Sequence, residues 1–109
     1  MDKKSWSIEF INDTALKEFL DLDIKLRAKF EHISNLLEKF GPFETPMPYV
    51  RPLRHKLWEI RLSASGNIAR SLFSVMKERR IIVLHSFVKK TQKTPKNALE
   101  KAMKRLQEL

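Results

Sequence analysis

Between Gly41 and Arg54 the chain changes the rhythm of its hydrophobic residues, and that change limits the folds open to it. Before it, Leu22, Leu26, Phe30, Ile33, Leu37 and Phe40 recur at steps of four, four, three, four and three, which predicts one helix over about residues 21 to 40. Gly41-Pro42 ends that helix, and "GPFETPMPYVRP", with four prolines, reads as a connecting loop over 41 to 54. After it the period falls to two. In "LWEIRL" Trp58, Ile60 and Leu62 share one face, while Leu57, Glu59 and Arg61 share the other. A helical period and a strand period within 109 residues imply helices packed on a sheet around one modest core, a single domain of residues 1 to 109.

The remaining elements fall into place around these two. "SWSIEF" alternates Trp6, Ile8 and Phe10 with polar residues and predicts a first strand. Asn12 or Asp13 then caps a short helix carrying Ala15, Leu16, Phe19 and Leu20. "SASGN" over 63 to 67 is a turn, "IARSLFSV" the return strand of a hairpin, and "KERR" a second turn. "IIVLHSFV" is apolar on both faces and reads as a central strand. Thr94 as N-cap with Pro95 behind it opens a last helix, striped by Leu99, Ala102, Met103 and Leu106. The expected fold is α+β: an antiparallel sheet, made of the N-terminal strand and a three-stranded meander, with two N-terminal helices on one face and a C-terminal helix. The opposite face, bearing Glu59, Arg61 and Arg70, is left for a ligand.

Charge is distributed unevenly along this plan. Residues 1 to 50 hold 7 Lys/Arg against 9 Asp/Glu, whereas residues 51 to 109 hold 15 against 4, so the second half carries the whole net charge of +9. Solubility needs no such clustering. A polyanionic partner explains it, because each cation that meets a phosphate releases condensed counterions. Nucleic acid is the first candidate and an acidic protein the second. The longest apolar run, Ile81 to Leu84, is far short of the ~20 residues that span a bilayer, and no apolar segment follows "MDKKSW". A cytoplasmic chain without a membrane partner is expected.

Several chemistries lack their residues. With no cysteine there is no disulfide frame or thiolate metal site. His32, His55 and His85 have no ligand-spaced partner, so neither a metal nor another cofactor is expected. Two glycines cannot build a phosphate-cradling loop or a dinucleotide fingerprint, and no serine sits in a nucleophile elbow. Arginines and lysines remain, and they suit phosphodiester cleavage. That reaction builds negative charge on phosphoryl oxygens, which fixed cations stabilise, and RNA supplies its own nucleophile in the 2′-hydroxyl. Arg61 on one arm of the hairpin, Arg70 on the other, and Lys89, Lys90 and Lys93 beyond the central strand supply the cations. Phe87 supplies a ring on which a base can stack. Each has a plainer alternative: Arg61 paired with Glu59, Arg70 as a structural strand residue, the lysines as a solvated turn. Arg51, Arg54, His55 and Lys56 either track RNA or coat their loop.

"LWEIRL", then Gly66, Arg70 and Phe73, then "IIVLHSFVKKTQKTP" and a terminal helix resemble the RelE/ParE toxin superfamily, more closely its HigB-like, phage-derived branch, over about residues 49 to 109. The resemblance implies a ribosome-dependent endoribonuclease that cleaves messenger RNA. It also implies a small cognate antitoxin, commonly with a helix-turn-helix DNA-binding domain, through which alone operator DNA would be contacted. Arg61 takes the position of a basic residue that meets the scissile phosphate, and Arg70 that of an arginine stabilising the transition state. Lys89 and Lys90 match the branch's paired lysines, and Phe87 its aromatic. Arg51, Arg54, His55, Lys56, Lys93 and Thr94 fall in the expected RNA or ribosome contact set. Ala69 stands where a tyrosine often precedes the strand arginine, and RelE's C-terminal tyrosine has no counterpart, Tyr49 being the one tyrosine in the chain. The general acid and base are therefore unassigned. A non-nucleolytic toxin of the same fold acting on gyrase, and a plain RNA-binding module, are the alternatives.

Overall fold

The computed structural model describes residues 5–45, 48–90 and 94–109. The chain runs β1 (Ser7–Phe10), α1 (Asp13–Leu20), α2 (Ile24–Phe40), β2 (Val50–Pro52), β3 (Leu57–Ala64), β4 (Asn67–Met76), β5 (Arg80–Val88) and α3 (Lys96–Gln107). Five strands form one sheet in the order β1-β5-β4-β3-β2. Strands β2 to β5 pair antiparallel in sequence order, so the meander read from the period-two segments is present. Among the described residues no helix is long and apolar enough to cross a membrane.

The α2 stripe buries Leu26, Phe30, Ile33 and Leu37 against Ile60, Leu62, Ala69, Phe73, Ile81 and Val83. Each fully buried leucine or isoleucine here is worth about 2–5 kcal/mol against alanine. Asp23 caps α2 by accepting from Lys25 N, and Gly41 ends it at φ +80°. A β-carbon at Gly41 would lie 2.5 Å from the Trp6 indole nitrogen. Backbone conformation and close approach both demand glycine there. Asn12 caps α1, its side chain accepting from Ala15 N at 2.8 Å.

The second face is only half open. Helix α3 lies on it and seals a smaller core of Leu57, Leu72, Ile82 and Leu84 beneath Ala98 and Ala102. A β-bulge makes room for this core. Leu72 pairs with His85 and Phe73 with Val83, so Leu84 has no opposite residue and the strict alternation is reset. What α3 leaves uncovered is the end of the face that carries Glu59, Arg61 and Arg70.

Three details differ from the sequence reading. The N-terminal strand joins the sheet parallel to β5, Ser7 opposite Arg80 through Phe10 opposite Val83, so the sheet is mixed rather than antiparallel throughout. Helix α1 does not lie flat beside α2 on one face. It runs along the stretch of β5 that four-residue β1 is too short to pair, sending Phe19 into the α2 core and Glu18 toward α3, whose Arg105 donates to it at 2.8 Å. An open edge of backbone groups is thereby covered. The proline loop contributes a strand of its own, β2, which tolerates Pro52 because it lies at the sheet edge.

Candidate active site

Cross-strand register gathers the cations. On the open half-face Arg51 of β2 stands opposite Glu59 of β3, Arg61 of β3 opposite Arg70 of β4, and Arg70 opposite Phe87 of β5. Lys89 extends the ladder, its N–H donating to Ile68 O at 2.7 Å. Two arginines directly opposed on one face repel each other. Glu59, two positions before Arg61 and so on the same face, offsets that repulsion from beneath. Its Oε1 is 3.5 Å from Arg70 Nε, and its Oε2 is 4.0 Å from Arg61 Nε.

Burial makes this arrangement stiff. Glu59 is 2% exposed and Arg70 is 5% exposed. Arg70 Nη1 donates to Ala69 O at 2.9 Å, while its Nε is the one buried side-chain polar atom, among the described residues, without a hydrogen bond. Burial lowers the Arg70 pKa from the ordinary arginine value; Glu59 opposes this, and Arg61 and Arg51 add to it. Lys89, also buried, is lowered by burial first and then by Arg70, with Glu59 opposing and Arg61 and Arg51 adding. One carboxylate thus anchors a cluster in which cations are in excess, which is what an incoming phosphate needs.

The structure also relocates Thr94. Pro95, not Thr94, is the N-cap of α3, and among the described residues no side chain caps that helix. The Thr94 hydroxyl instead donates to Glu59 Oε1 at 3.0 Å. The Thr-Pro signal gave the helix start to within a residue and misassigned the hydroxyl, which is turned toward a buried carboxylate where it makes a charge-assisted hydrogen bond.

The other expected contact residues scatter around this centre. Arg51, Arg54, Glu59, Lys89 and Thr94 line a common cleft, and Lys89 and Lys90 share a neighbouring one with Arg70. His55 and Lys56 form the tip of the β2–β3 hairpin at φ +60° and +66°. Phe87 stacks on His85, ring centroids 5.1 Å apart, and packs against the α3 core, so one face of its ring is already occupied. Lys93 lies outside the described residues. Glu59 was weighed in the sequence only as a surface partner for Arg61. The usable signal was an acid two residues before an arginine on a face otherwise turned toward a core.

A second charged cluster had no signal in the sequence. Glu18 of α1 receives Arg105 Nη1 and Nη2 of α3, both at 2.8 Å, and its Oε1 is 2.8 Å from His85 Nδ1. Arg105 Nη1 also donates to Leu84 O at 2.7 Å. Burial pushes the Glu18 carboxyl up, but the hydrogen bonds from Arg105 and His85 outweigh it and hold the pKa at about 2. Burial lowers the His85 pKa against the pull of Glu18. This cluster pins three elements together.

A sheet of four antiparallel strands and one parallel edge strand, with helices on both faces and cations on the open half-face, has the architecture of the RelE toxins. Among solved structures, the archaeal RelE–RelB complex from Pyrococcus horikoshii OT3 contains a chain that matches with a TM-score of 0.56 and 18% identity, over 77% of this chain and 94% of that one. No curated protein is significantly similar in sequence. The family model described as phage derived protein Gp49-like matches residues 17–107, and the chain belongs to that family. The RelE-superfamily resemblance seen in "LWEIRL" and "IIVLHSFVKKTQKTP" stands on both findings.

Proposed function

We propose that the chain is the toxin of a type II toxin–antitoxin pair, a metal-independent endoribonuclease that cuts messenger RNA on the ribosome. The observation that carries this reading is the opposed pair Arg61 and Arg70 on the open half-face, anchored by buried Glu59 and flanked by Lys89. The 2′-hydroxyl oxygen attacks phosphorus, the bond to O5′ breaks, one proton leaves the 2′-hydroxyl and one reaches O5′. The products are a 2′,3′-cyclic phosphate and a 5′-hydroxyl end.

Arg61, partly exposed, meets the phosphate as it enters. Arg70, fixed by Glu59 and Ala69 O, stabilises the charge that grows on the nonbridging oxygens without reorganising. Glu59 is a positioning residue, too enclosed by Arg70 and Thr94 to reach the 2′-hydroxyl. Lys89, which stands beside Arg70 and whose pKa burial and Arg70 lower from the ordinary lysine value, is the group best suited to deliver a proton to O5′. Lys90 adds charge beside it. Arg51, Arg54, His55, Lys56 and Lys93 follow the RNA or ribosome beyond the scissile phosphate. The ribosome orients the 2′-hydroxyl in line with the leaving oxygen, so naked RNA is cut poorly. A cognate antitoxin with a helix-turn-helix domain silences the enzyme in the cytoplasm and supplies any contact with operator DNA.

The test is expression with and without the antitoxin, with transcript ends mapped in arrested cells. Wild-type chain should produce new 5′-hydroxyl ends within translated frames. Arg70→Ala, and a Lys89→Ala/Lys90→Ala pair, should abolish them while the far-UV spectrum is kept. Undiminished cleavage in folded variants overturns the assignment. Arrest with intact transcripts and damaged DNA favours the gyrase-directed alternative.

A further inference from the structure

The exposed side of α2, which the hydrophobic stripe leaves polar, is not a passive surface. Lys29 and His32 of α2 face Tyr49, Arg61, Ile68 and Arg70 across a groove of about 510 Å³. Its lining is chemically mixed. It holds the guanidinium pair of the cleavage cluster, and it holds Tyr49, 37% exposed, whose ring is met edge-on by His32 at 6.2 Å and 83°. Ile68, 42% exposed, adds apolar surface. Arg61 N–H donates to Tyr49 O at 2.8 Å, so the aromatic residue is the cross-strand neighbour of the first arginine of the pair.

Cationic, apolar and aromatic side chains lining one groove match a nucleotide part by part: phosphate, sugar and base. We propose that this groove is a nucleobase subsite, in which the base adjoining the phosphate bound by Arg61 and Arg70 stacks on Tyr49. The assignment rests on the RNA reading of the cationic cluster. An unstacked base offers a π-face whatever its identity, and aromatic platforms hold it with little sequence preference. The groove continues past Lys29, His32 and Ser63 into a second one that adds Lys25, so the strand leaving the subsite passes cations spaced one helical turn apart along α2.

Two probes separate the base from the phosphate: a 2′-O-methyl dinucleotide, which resists cleavage, and its counterpart with one abasic sugar. Binding of each to the purified chain is followed by calorimetry at low salt. Wild-type chain should bind the base-bearing probe more tightly. Tyr49→Ala should weaken that probe by roughly 5- to 150-fold and leave the abasic probe unchanged, and Tyr49→Phe should retain the preference. Equal weakening of both probes by Tyr49→Ala, or no discrimination by the wild-type chain, overturns the subsite. Arg70→Ala distinguishes the underlying reading. Loss of both probes there supports the phosphate site. Undiminished binding of both overturns the phosphate site, and with it the placement of the subsite. A subsite failure with the Arg70 effect intact leaves the cleavage reading standing.

Discussion

The two charged clusters are each built around one glutamate with arginine beside it and are finished differently. Glu18, His85 and Arg105 close on one another: both guanidinium tips of Arg105 and the His85 ring are within 2.8 Å of the carboxylate. Around Glu59 the two arginines stop at 3.5 and 4.0 Å, and Arg70 Nε makes no hydrogen bond among the described residues. A satisfied buried network rigidifies a fold. One that keeps positive charge unquenched carries a standing cost, and an anion relieves it. The first cluster joins α1, β5 and α3, and the second keeps a place for phosphate.

Substitution in each cluster should therefore fail in a different currency. Arg70→Ala is expected to lower cleavage per folded molecule by about 10²–10³-fold, as for loss of one donor to a developing oxyanion, with a stability loss limited by the Arg61 and Thr94 partners that buried Glu59 keeps. Arg105→Ala should do the reverse. It strands Glu18 and costs about 3 kcal/mol of stability, read in urea unfolding, while cleavage per folded molecule holds, since Arg105 lies roughly 14 Å along α3 from its first turn. Matching losses in both assays for both variants would dissolve the contrast. Glu59→Gln falls between them. It leaves Arg61 and Arg70 opposed without a counter-charge, so cleavage should weaken and stability should fall by about 1–3 kcal/mol, the stability being partly restored by added phosphate ion, which binds between the two arginines. No response to phosphate would argue that the cluster holds no anion.

Acid separates the clusters more gently. The Glu18 pKa is about 2 in the fold against an ordinary 4.5. A depressed carboxyl contributes stability that is complete above the unfolded value and is lost as pH falls from 4.5 toward 2. The His85 pKa is also depressed, so protonation of the unfolded chain below the ordinary imidazole value works in the same direction. Glu18→Gln should flatten the acid limb of a stability–pH curve between about 4.5 and 2. An unchanged limb would place the acid sensitivity elsewhere. The smallest effect belongs to Thr94. Removing a hydrogen bond to a carboxylate by Thr94→Val should cost about 1.5 kcal/mol. Thr94→Asp, which would strengthen an N-cap, should destabilise by setting a second carboxylate against Glu59. A stabilised Thr94→Asp variant would return Thr94 to its capping role.

Helix α2, the β3–β5 meander and α3 were legible because their periods are local and long, and because Gly41 and the Ser65-Gly66 turn, with φ of +52° and +80°, punctuate them. Strand β2 was hidden by its three residues and its proline. The alternation at Trp6, Ile8 and Phe10 identified a strand and was silent on its neighbour, since parallel and antiparallel partners bury the same face. Arg61 and Arg70 were legible as candidates. That they stand opposite each other follows from the two-residue Ser65-Gly66 turn, which sets the hairpin register.

The amino-acid order by itself determined where the chain turns, which residues face inward and where the positive charge accumulates, all of which arise from neighbours a few positions apart. Tertiary structure alone decided which charges are quenched. His85 meets Glu18 across 67 positions and Thr94 reaches Glu59 across 35. Such pairings exist only once the sheet register and the docking of α1 and α3 have brought distant side chains to hydrogen-bonding range, where burial makes each satisfied or unsatisfied contact count.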